Sequence, residues 1–139
     1  MRCKWLMESP EVAEAQPTHF PSVPRVYEKI HTAVLSGVAE QSRVKRTLFE
    51  WALDVGRRTA ARRRAGATMS RLDRVRHGVA DRLVLSKVRA VFGGRLQLAM
   101  TGAAPIGREI LEFFDACGVL ILEGYGMSES CAAGTLNTP

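Results

Sequence analysis

One stretch of sequence, at residues 101–129, limits the fold of this chain more than any other. Ahead of it, apolar side chains alternate at Leu96, Leu98 and Met100, which predicts a strand. They then recur at helical spacing, at Ile106, Ile110, Phe113, Phe114 and Cys117. The apolar run at residues 119–122 indicates a second strand. Pro105 suits the opening turn of the intervening helix and Gly118 the position just past its end.

The small and polar residues of this stretch lie where the two strands end. Strands joined by one crossover helix are parallel, so their carboxyl ends open on the same edge of the sheet, where α/β proteins bind ligands. Gly-Ala-Ala follows the first strand at residues 102–104, and Gly-Tyr-Gly-Met-Ser-Glu follows the second at residues 124–129. Small residues expose backbone, an aromatic ring offers a flat face, and a hydroxyl beside a carboxylate can hold a phosphate with its metal ion. The pattern indicates a nucleotide site.

Upstream of this unit the sequence predicts one more strand and two or three helices, which makes the fold class α/β. Residues 19–24 should be extended, because each proline pushes the residue before it out of the helical region. We expect one helix at residues 23–37 and a second at residues 43–64, stopped by Gly66. A third helical pattern spans residues 72–91 before a pair of glycines breaks it.

Each predicted helix carries an apolar stripe that we expect to face the core. In the first helix the stripe is Val26, Tyr27, Ile30 and Val34. In the second it is Val44, Leu48, Trp51, Ala52 and Val55. In the third it is Leu72, Val75, Val79 and Leu83, continuing toward Val88 and Val91. Side chains three and four positions apart share a helix face, so these sets predict the buried sides.

Three segments, in matching order and spacing, resemble the AMP-forming acyl-CoA synthetases of the adenylating superfamily. Tyr-Gly-Met-Ser-Glu at residues 125–129 is similar to the family's Tyr-Gly-x-Thr-Glu motif. Thr-Gly-Ala-Ala-Pro at residues 101–105 is similar to its Gly-Gly-Ala/Ser-Pro turn, and residues 21–30 resemble a segment of long-chain fatty acyl members. The resemblance implies ATP-dependent activation of a fatty acid to its CoA thioester, with ATP or AMP, Mg²⁺ and CoA as cofactors and co-substrates.

The resemblance also implies how the nucleotide is held. Tyr125 would stack on adenine, while the backbone at Gly102, Ala103 and Ala104 covers the other face of the ring. Ser128 stands where the family usually has Thr, whose hydroxyl bonds the α-phosphate. Serine keeps that hydroxyl but has less restricted rotamers than threonine.

Metal and acyl-chain roles follow from the same resemblance. Glu129 would coordinate the Mg²⁺ that bridges the phosphates, and together with Ser128 it forms the predicted catalytic pair. Magnesium prefers one or two carboxylates plus phosphate oxygens, which suits a single glutamate. Gly124, Gly126 and Met127 would lie where the acyl chain meets the phosphate, with glycine giving clearance and methionine an adaptable wall.

The family's catalytic unit is several times longer than this chain. We therefore expect residues 1–139 to be part of an AMP-binding N-terminal domain. Within it we expect an irregular start at residues 1–9, a basic helical segment at 38–92, and the nucleotide-site strands and loops at 95–139. The family's Ser-, Thr- and Gly-rich phosphate loop and its catalytic lysine have no counterpart in these residues, so we expect the isolated chain to lack ligase activity.

Positive charge is concentrated in the helical segment. Residues 43–76 hold eleven Arg or Lys against three acidic residues, an excess of eight that exceeds the whole-chain charge of +6. A solvated outer helix face would explain this block without any partner. An anionic membrane surface and another protein stay open as partners. Nucleic acid is not expected, because no aromatic interleaving or known motif accompanies the charge.

Cysteine use and hydropathy bear on the compartment. Cys3, Cys117 and Cys131 have no paired spacing, so neither a disulfide framework nor a zinc site is expected. No apolar run has the length of a signal peptide or of a membrane span. We expect a cytoplasmic protein, with peripheral contact to the inner membrane surface left open.

Three interpretations of the whole chain remain open on the sequence. The first is part of a long-chain fatty acid–CoA ligase. The second is a non-catalytic module whose basic helices bind an anionic membrane surface or nucleic acid, with salt-sensitive affinity. The third is a truncated product without function, unstable because its strands at residues 95–100 and 119–123 lack sheet neighbours.

Overall fold

A computed structural model describes residues 14–127 and 132–137 as a mixed helix and strand structure, which confirms the α/β class. The strands are β1 (His19–Ser22), β2 (Leu98–Thr101), β3 (Ile121–Met127) and β4 (Ala132–Leu136). The α-helices are α1 (Pro24–Ala39), α2 (Arg43–Arg64), α3 (Arg71–Ala80), α4 (Ser86–Arg89) and α5 (Arg108–Ala116). A π-helical turn, Asp81–Leu85, joins α3 to α4, and a 3-10 turn, Ala90–Phe92, follows α4. The predicted irregular start at residues 1–9 lies outside the described residues.

The strands form a single sheet in the order β1-β2-β3-β4. β1 is parallel to β2, β2 is parallel to β3, and β4 runs antiparallel to β3. Thr101 of β2 lies opposite Ser22 of β1 and Glu123 of β3. β1 and β2 therefore reach their carboxyl ends together, next to the middle of β3, as the predicted parallel arrangement requires.

β3 continues well past the parallel part of the sheet. Its residues from Gly124 to Met127 pair with β4, with a register shift between Tyr125 and Gly126. The prediction of a loop after residue 123 is therefore wrong for residues 124–127. Glycine is depleted in strands, so Gly-Tyr-Gly does not indicate one, and the backbone bonds to β4 decide the conformation. β4, which supplies these bonds, lies in the segment at residues 95–139 that is predicted to hold the site strands and loops.

α5 is the predicted crossover helix, although its start differs from the prediction. Gly107 is its N-cap and the helix begins at Arg108, so the placement of Pro105 in the opening turn is wrong. The residues between the end of β2 at Thr101 and the helix start at Arg108 form the turn that leads the chain away from the sheet. Ile106 is nevertheless buried in the core ahead of the helix. Gly118 adopts φ +79° just past the helix end, as predicted.

α1 confirms its predicted stripe. Tyr27, Ile30 and Val34 are buried and Val26 packs against the core. The helix begins at Pro24, a residue type that suits the first helical position. It ends at Ala39, two residues later than predicted.

The hydroxyl of Tyr27 joins α1 to two strands. It lies 2.8 Å from the carbonyl oxygen of Phe20 in β1 and 3.0 Å from that of Met100 in β2. Burial raises the pKa of Tyr27 above its usual value, and the opposing effect of the bond to Met100 is smaller. The hydroxyl therefore stays protonated and donates to the strand carbonyls.

α2 has the predicted bounds, but its predicted buried stripe is right only in part, since Ala52 is buried and Leu48 and Val55 pack against the core. Val44 and Trp51 are exposed. The residues that face the core are Phe49, Ala52, Leu53, Gly56 and Ala60. The buried face is turned by about one position relative to the prediction, and it carries the small residues that allow another helix to approach.

Gly56 marks a close approach of α2 to α5. A Cβ atom at this position would overlap the carbonyl oxygen of Ala116 and lie 3.0 Å from its carbonyl carbon. Nearby, Arg63 and Arg64 of α2 both pair with Asp115 of α5, the second at 3.0 Å. These contacts hold α5, and with it the crossover between β2 and β3, against α2.

The first part of the third helical segment turns a different face to the core than predicted, whereas Val88 and Val91 are buried as predicted. Leu72, Val75, Val79 and Leu83 are all exposed, so their prediction as a buried stripe is wrong. The buried residues are Ala80, Val84, Leu85, Val88, Val91 and Phe92. This segment carries two apolar faces, and the π-helical turn sets which of them meets the core.

Arg89 links this segment to the end of α5. Its guanidinium donates to both carboxylate oxygens of Asp81, at 2.6 and 2.9 Å, and to the carbonyl oxygen of Cys117 at 3.0 Å. Hydrogen bonding from Arg89 holds the pKa of Asp81 below its usual value, against the effect of burial. Burial raises the pKa of the Cys117 thiol to about 12, so this free cysteine stays protonated inside the core.

The close approach at Gly56 leads to a prediction with a matched control in a second helix. We expect Gly56→Ala to lower the free energy of unfolding by about 1–3 kcal/mol, because the new methyl group meets backbone that must shift. A methyl group at Gly78 of α3 would meet no atom of a neighbouring element within 4 Å, so Gly78→Ala should raise that free energy by about 0.5–1 kcal/mol. Urea denaturation followed by circular dichroism measures both, and equal effects of the two changes would contradict the packing of α2 on α5.

Candidate functional site

Two glycine-containing segments meet at the carboxyl edge of the parallel strands. A Cβ atom at Gly102 would lie 3.2 Å from the carbonyl oxygen of Gly124. A Cβ atom at Gly124 would lie 3.6 Å from the carbonyl oxygen of Thr101 and 3.2 Å from Cδ2 of Leu136. The backbones after β2 and within β3 are therefore adjacent. Glycine at these two positions allows this close approach of the two backbones.

Tyr125 follows this junction and is open to solvent. Its side chain is 65 % exposed, and its backbone pairs with Thr135 of β4 just before the register shift. Gly126, the next residue, is also exposed. Because the backbone of Tyr125 is paired with β4 while its ring is largely exposed, the ring is able to stack on a planar ligand.

The loop after β2 contains a strained alanine. Ala103 has φ +69°, in the left-handed region that costs an L-residue with a side chain about 1–2 kcal/mol. Ala103 and Ala104 are both exposed at the sheet edge. Backbone strain of this kind concentrates at binding sites, where neighbouring structure over-determines the conformation.

A row of polar side chains lies beneath this loop and was not predicted as part of the site. Ser22, Thr101 and Glu123 are opposite one another on the three parallel strands, and opposed residues point to the same face of a sheet. Thr101 is only 3 % exposed, and its hydroxyl has no hydrogen-bond partner among the described residues. The sequence signal that could have identified the row is a polar residue at or next to the end of each predicted parallel strand.

Asn137 fastens β4 to the start of the site strand. Its side-chain oxygen accepts a hydrogen bond of 2.7 Å from the backbone nitrogen of Glu123, and its own backbone nitrogen donates to the Glu123 carbonyl oxygen at 3.1 Å. This double contact fixes one end of the β3–β4 pair. The other end of the pair leads into residues 128–131.

Part of the predicted site falls beyond what the structure describes. Ser128 and Glu129, the predicted catalytic pair and metal ligand, lie outside the described residues. The backbone of Met127 pairs with Ala132, and its side chain is likewise outside the description. Among the residues that are described, no three His, Cys, Asp or Glu side chains group as a metal site.

Comparison with known proteins decides the family. The pattern of the family described as AMP-binding enzyme matches residues 6–139. The chain belongs to this family. The match covers the helical segment as well as the site strands, and it confirms the family that the motifs at residues 101–105 and 125–129 indicate.

Individual relatives of this AMP-binding family member are fatty acid–CoA ligases. A long-chain-fatty-acid–CoA ligase of Xenopus laevis is 39% identical over 127 residues, which cover 91% of this chain and 17% of the relative. One from Mycobacterium bovis is 37% identical over 127 residues, covering 87% of this chain and 20% of the relative. The chain thus spans about a fifth of the length of these curated relatives.

A solved structure is also similar to this chain. It is the A-PCP didomain of a carboxylic acid reductase from Segniliparus rugosus in complex with AMP, with a TM-score of 0.45 and 20% identity. The similarity covers 88% of this chain and 13% of the other.

None of the helices in the described ranges combines the length and the apolar character that crossing a bilayer requires.

The strained loop gives a prediction with a neighbouring residue as its control. We expect Ala103→Gly to raise the free energy of unfolding by about 0.5–1 kcal/mol, because relief of left-handed strain outweighs the extra freedom of glycine in the unfolded chain. Ala104 does not have positive φ, so Ala104→Gly should lower that free energy by about 0.4–1 kcal/mol. Parallel urea titrations test the pair. Destabilisation by both changes would show that Ala103 is not strained.

Proposed function

We propose that this chain supplies the adenine-binding side of the nucleotide site in an AMP-forming fatty acid–CoA ligase. The observation that carries the proposal is the adjacency of the Gly102 and Gly124 backbones, with the exposed ring of Tyr125 directly after them. A bare backbone beside an open aromatic ring suits a flat base. The names of the relatives, long-chain-fatty-acid–CoA ligases, support a fatty acid as the substrate.

The proposed reaction has two steps. A fatty acid carboxylate oxygen attacks the α-phosphorus of ATP, the bond to the β-phosphate oxygen breaks, and acyl-adenylate and pyrophosphate form. The thiolate of CoA then attacks the acyl carbonyl carbon of this mixed anhydride, and AMP leaves with the electron pair of the broken carbon–oxygen bond. The adenine half of the nucleotide is unchanged in both steps, so one binding surface serves throughout.

Each proposed site residue has a part in holding these groups. Tyr125 stacks on adenine, and the backbone at residues 102–104 covers the other face of the ring. The Ser128 hydroxyl donates to an α-phosphate oxygen. Gly126, with Gly124 and Met127, leaves room where the acyl carboxylate reaches the phosphorus. These placements fix the reacting atoms relative to one another, and such positioning accounts for a large part of catalysis in reactions of two substrates.

Glu129 is proposed as a ligand of Mg²⁺. Bound between this carboxylate and the phosphate oxygens, the ion would neutralise charge on the triphosphate and its leaving group. One carboxylate is consistent with magnesium, which keeps several water ligands and takes the rest from phosphate.

A non-catalytic module as the function of the whole chain is not favoured. The family match extends over residues 6–139 and so includes the basic helices together with the site strands. Several of the arginines also serve the fold itself, since Arg63, Arg64 and Arg89 pair with carboxylates of the described structure. Their charge is not evidence for a separate binding function.

The adenine platform is tested by AMP binding to the 139-residue chain. Base–aromatic stacking contributes about 1–3 kcal/mol, so Tyr125→Ala should raise the Kd for AMP about tenfold in isothermal titration calorimetry. Tyr125→Phe keeps the ring and should stay within about twofold of the parent chain on the same reasoning. AMP binding that is unchanged by Tyr125→Ala would refute the platform.

The metal role is separated from the adenine platform by using ATP in the same assay. We expect Mg²⁺ to strengthen ATP binding by the parent chain, and Glu129→Gln to remove most of that enhancement. Binding of AMP without Mg²⁺ should be unaffected by Glu129→Gln, because the ion is proposed to contact the phosphates and not the base. An undiminished Mg²⁺ effect in the variant would overturn the assignment of Glu129 as the ligand.

A polypeptide of these 139 residues should not complete the ligase reaction. The family's glycine-rich phosphate loop and catalytic lysine have no counterpart among them, and charge stabilisation by such groups supplies much of the rate of reactions that develop negative charge. The measurement is formation of acyl-CoA from a labelled long-chain fatty acid, ATP and CoA. AMP binding by the same preparation serves as the control for folding, and ATP-dependent thioester formation would contradict the expectation.

A further inference from the structure

The outer face of the third helical segment carries an exposed apolar stripe. The side chains of Leu72, Val75, Val79 and Leu83, called here the outer stripe, are 61, 64, 46 and 43 % exposed. Helices of globular proteins normally turn such a set toward the core. Within α3 only Ala80 is buried, so the apolar side of this helix faces away from the body of the chain.

Unpaired arginines accompany the outer stripe. Both carboxylates of the segment are engaged elsewhere, Asp73 with Arg62 of α2 and Asp81 with Arg89 of α4. Four exposed guanidinium groups of the segment have no carboxylate within ion-pairing distance in the described ranges; they belong to Arg71, Arg74, Arg76 and Arg82. The surface around the outer stripe therefore has uncompensated positive charge.

Two of these arginines border the apolar side chains rather than interrupting them. At about 100° per residue, Leu72, Val75 and Val79 fall within an arc of about 60°, with Arg71 on one side of it and Arg76 on the other. In this arrangement the alkyl groups can enter the boundary between lipid headgroups and acyl chains. The long arginine side chains can then extend sideways to the phosphates.

We propose that the outer stripe and its flanking arginines dock on an anionic lipid surface, with the helix lying along the membrane plane. The proposal rests on the proposed function, because long-chain fatty acid substrates partition into membranes. It adds the surface through which the enzyme would reach these substrates. Nucleic acid would match the charge but not the apolar ridge between the arginines. Contact of the outer stripe with the same stripe of a second copy would set arginines against arginines, which is unfavourable.

The proposal is tested by sedimentation of the 139-residue chain with vesicles of phosphatidylcholine alone or with about one-third phosphatidylglycerol. Binding should require the anionic lipid. The triple change Leu72→Ala, Val75→Ala and Val79→Ala should weaken it about tenfold or more, as should Arg71→Gln, Arg76→Gln and Arg82→Gln. All six positions lie at the surface of the segment, and circular dichroism checks the fold of each variant.

Matched controls lie at the start of α2. Val44 is 78 % exposed, and Val44→Ala removes a comparable apolar group away from the outer stripe. The triple change Arg43→Gln, Lys45→Gln and Arg46→Gln removes the same charge as the arginine variant. Both controls should bind anionic vesicles within about twofold of the parent chain. Equal losses in the control and test variants would overturn the assignment to this surface.

A gain-of-binding variant covers the case in which the alanine changes disturb the helix. Val75→Trp should bind anionic vesicles more tightly. The fluorescence emission of the introduced tryptophan should shift to shorter wavelength when the vesicles are present. Binding to neutral vesicles alone, salt-sensitive binding to nucleic acid that survives the alanine changes, or a dimer that those changes dissociate would each overturn the proposal. Vesicle binding needs neither ATP nor AMP, so its failure is separate from a failure of the nucleotide site.

Discussion

The position of the site loop depends on one buried hydroxyl. Tyr27 of α1 reaches the carbonyl oxygens of Phe20 and Met100 within two neighbouring strands, and its ring stands edge-on to those of Phe20 and Phe114. Met100 comes two residues before Gly102, where the site loop begins. Loss of this donor would remove both contacts from these partly buried carbonyls and weaken the attachment of α1 to the strand that leads into the backbone proposed to cover adenine.

The helices distant from the ligand edge hold the crossover between the site strands. α5 is fixed near its carboxyl end by the contact at Gly56, and Arg89 bonds the carbonyl oxygen of Cys117 immediately after it. A solvated outer face therefore explains only part of the arginine-rich sequence. Some of these side chains orient the helix on which the parallel arrangement of β2 and β3 depends, and others extend into solvent at the surface.

Sequence periodicity predicts the elements of this fold better than it predicts their buried faces. The bounds of α2 follow from its pattern and Gly66, whereas its core face includes Gly56, which carries no apolar signal. The meeting of Gly102 with Gly124 follows from the parallel-strand rule. The strand conformation of residues 124–127 comes from pairing with β4. Alanine does not favour a left-handed backbone, so the residue type at position 103 gives no indication of its positive φ. These features arise from tertiary contacts that no local pattern contains.

The π-helical turn at Asp81–Leu85 is the one place in this helical segment where a change of chain length is easily absorbed. A wide turn accommodates one more residue than an α-helical turn, so a deletion there can convert it to α-helix, whereas a deletion in α3 would rotate the residues after it by about 100° relative to those before it. After such a rotation Val88 would leave the interior, and the guanidinium of Arg89 would lose its reach to Cys117. Evolution can therefore exchange side chains along this surface far more freely than it can gain or lose a codon outside the turn.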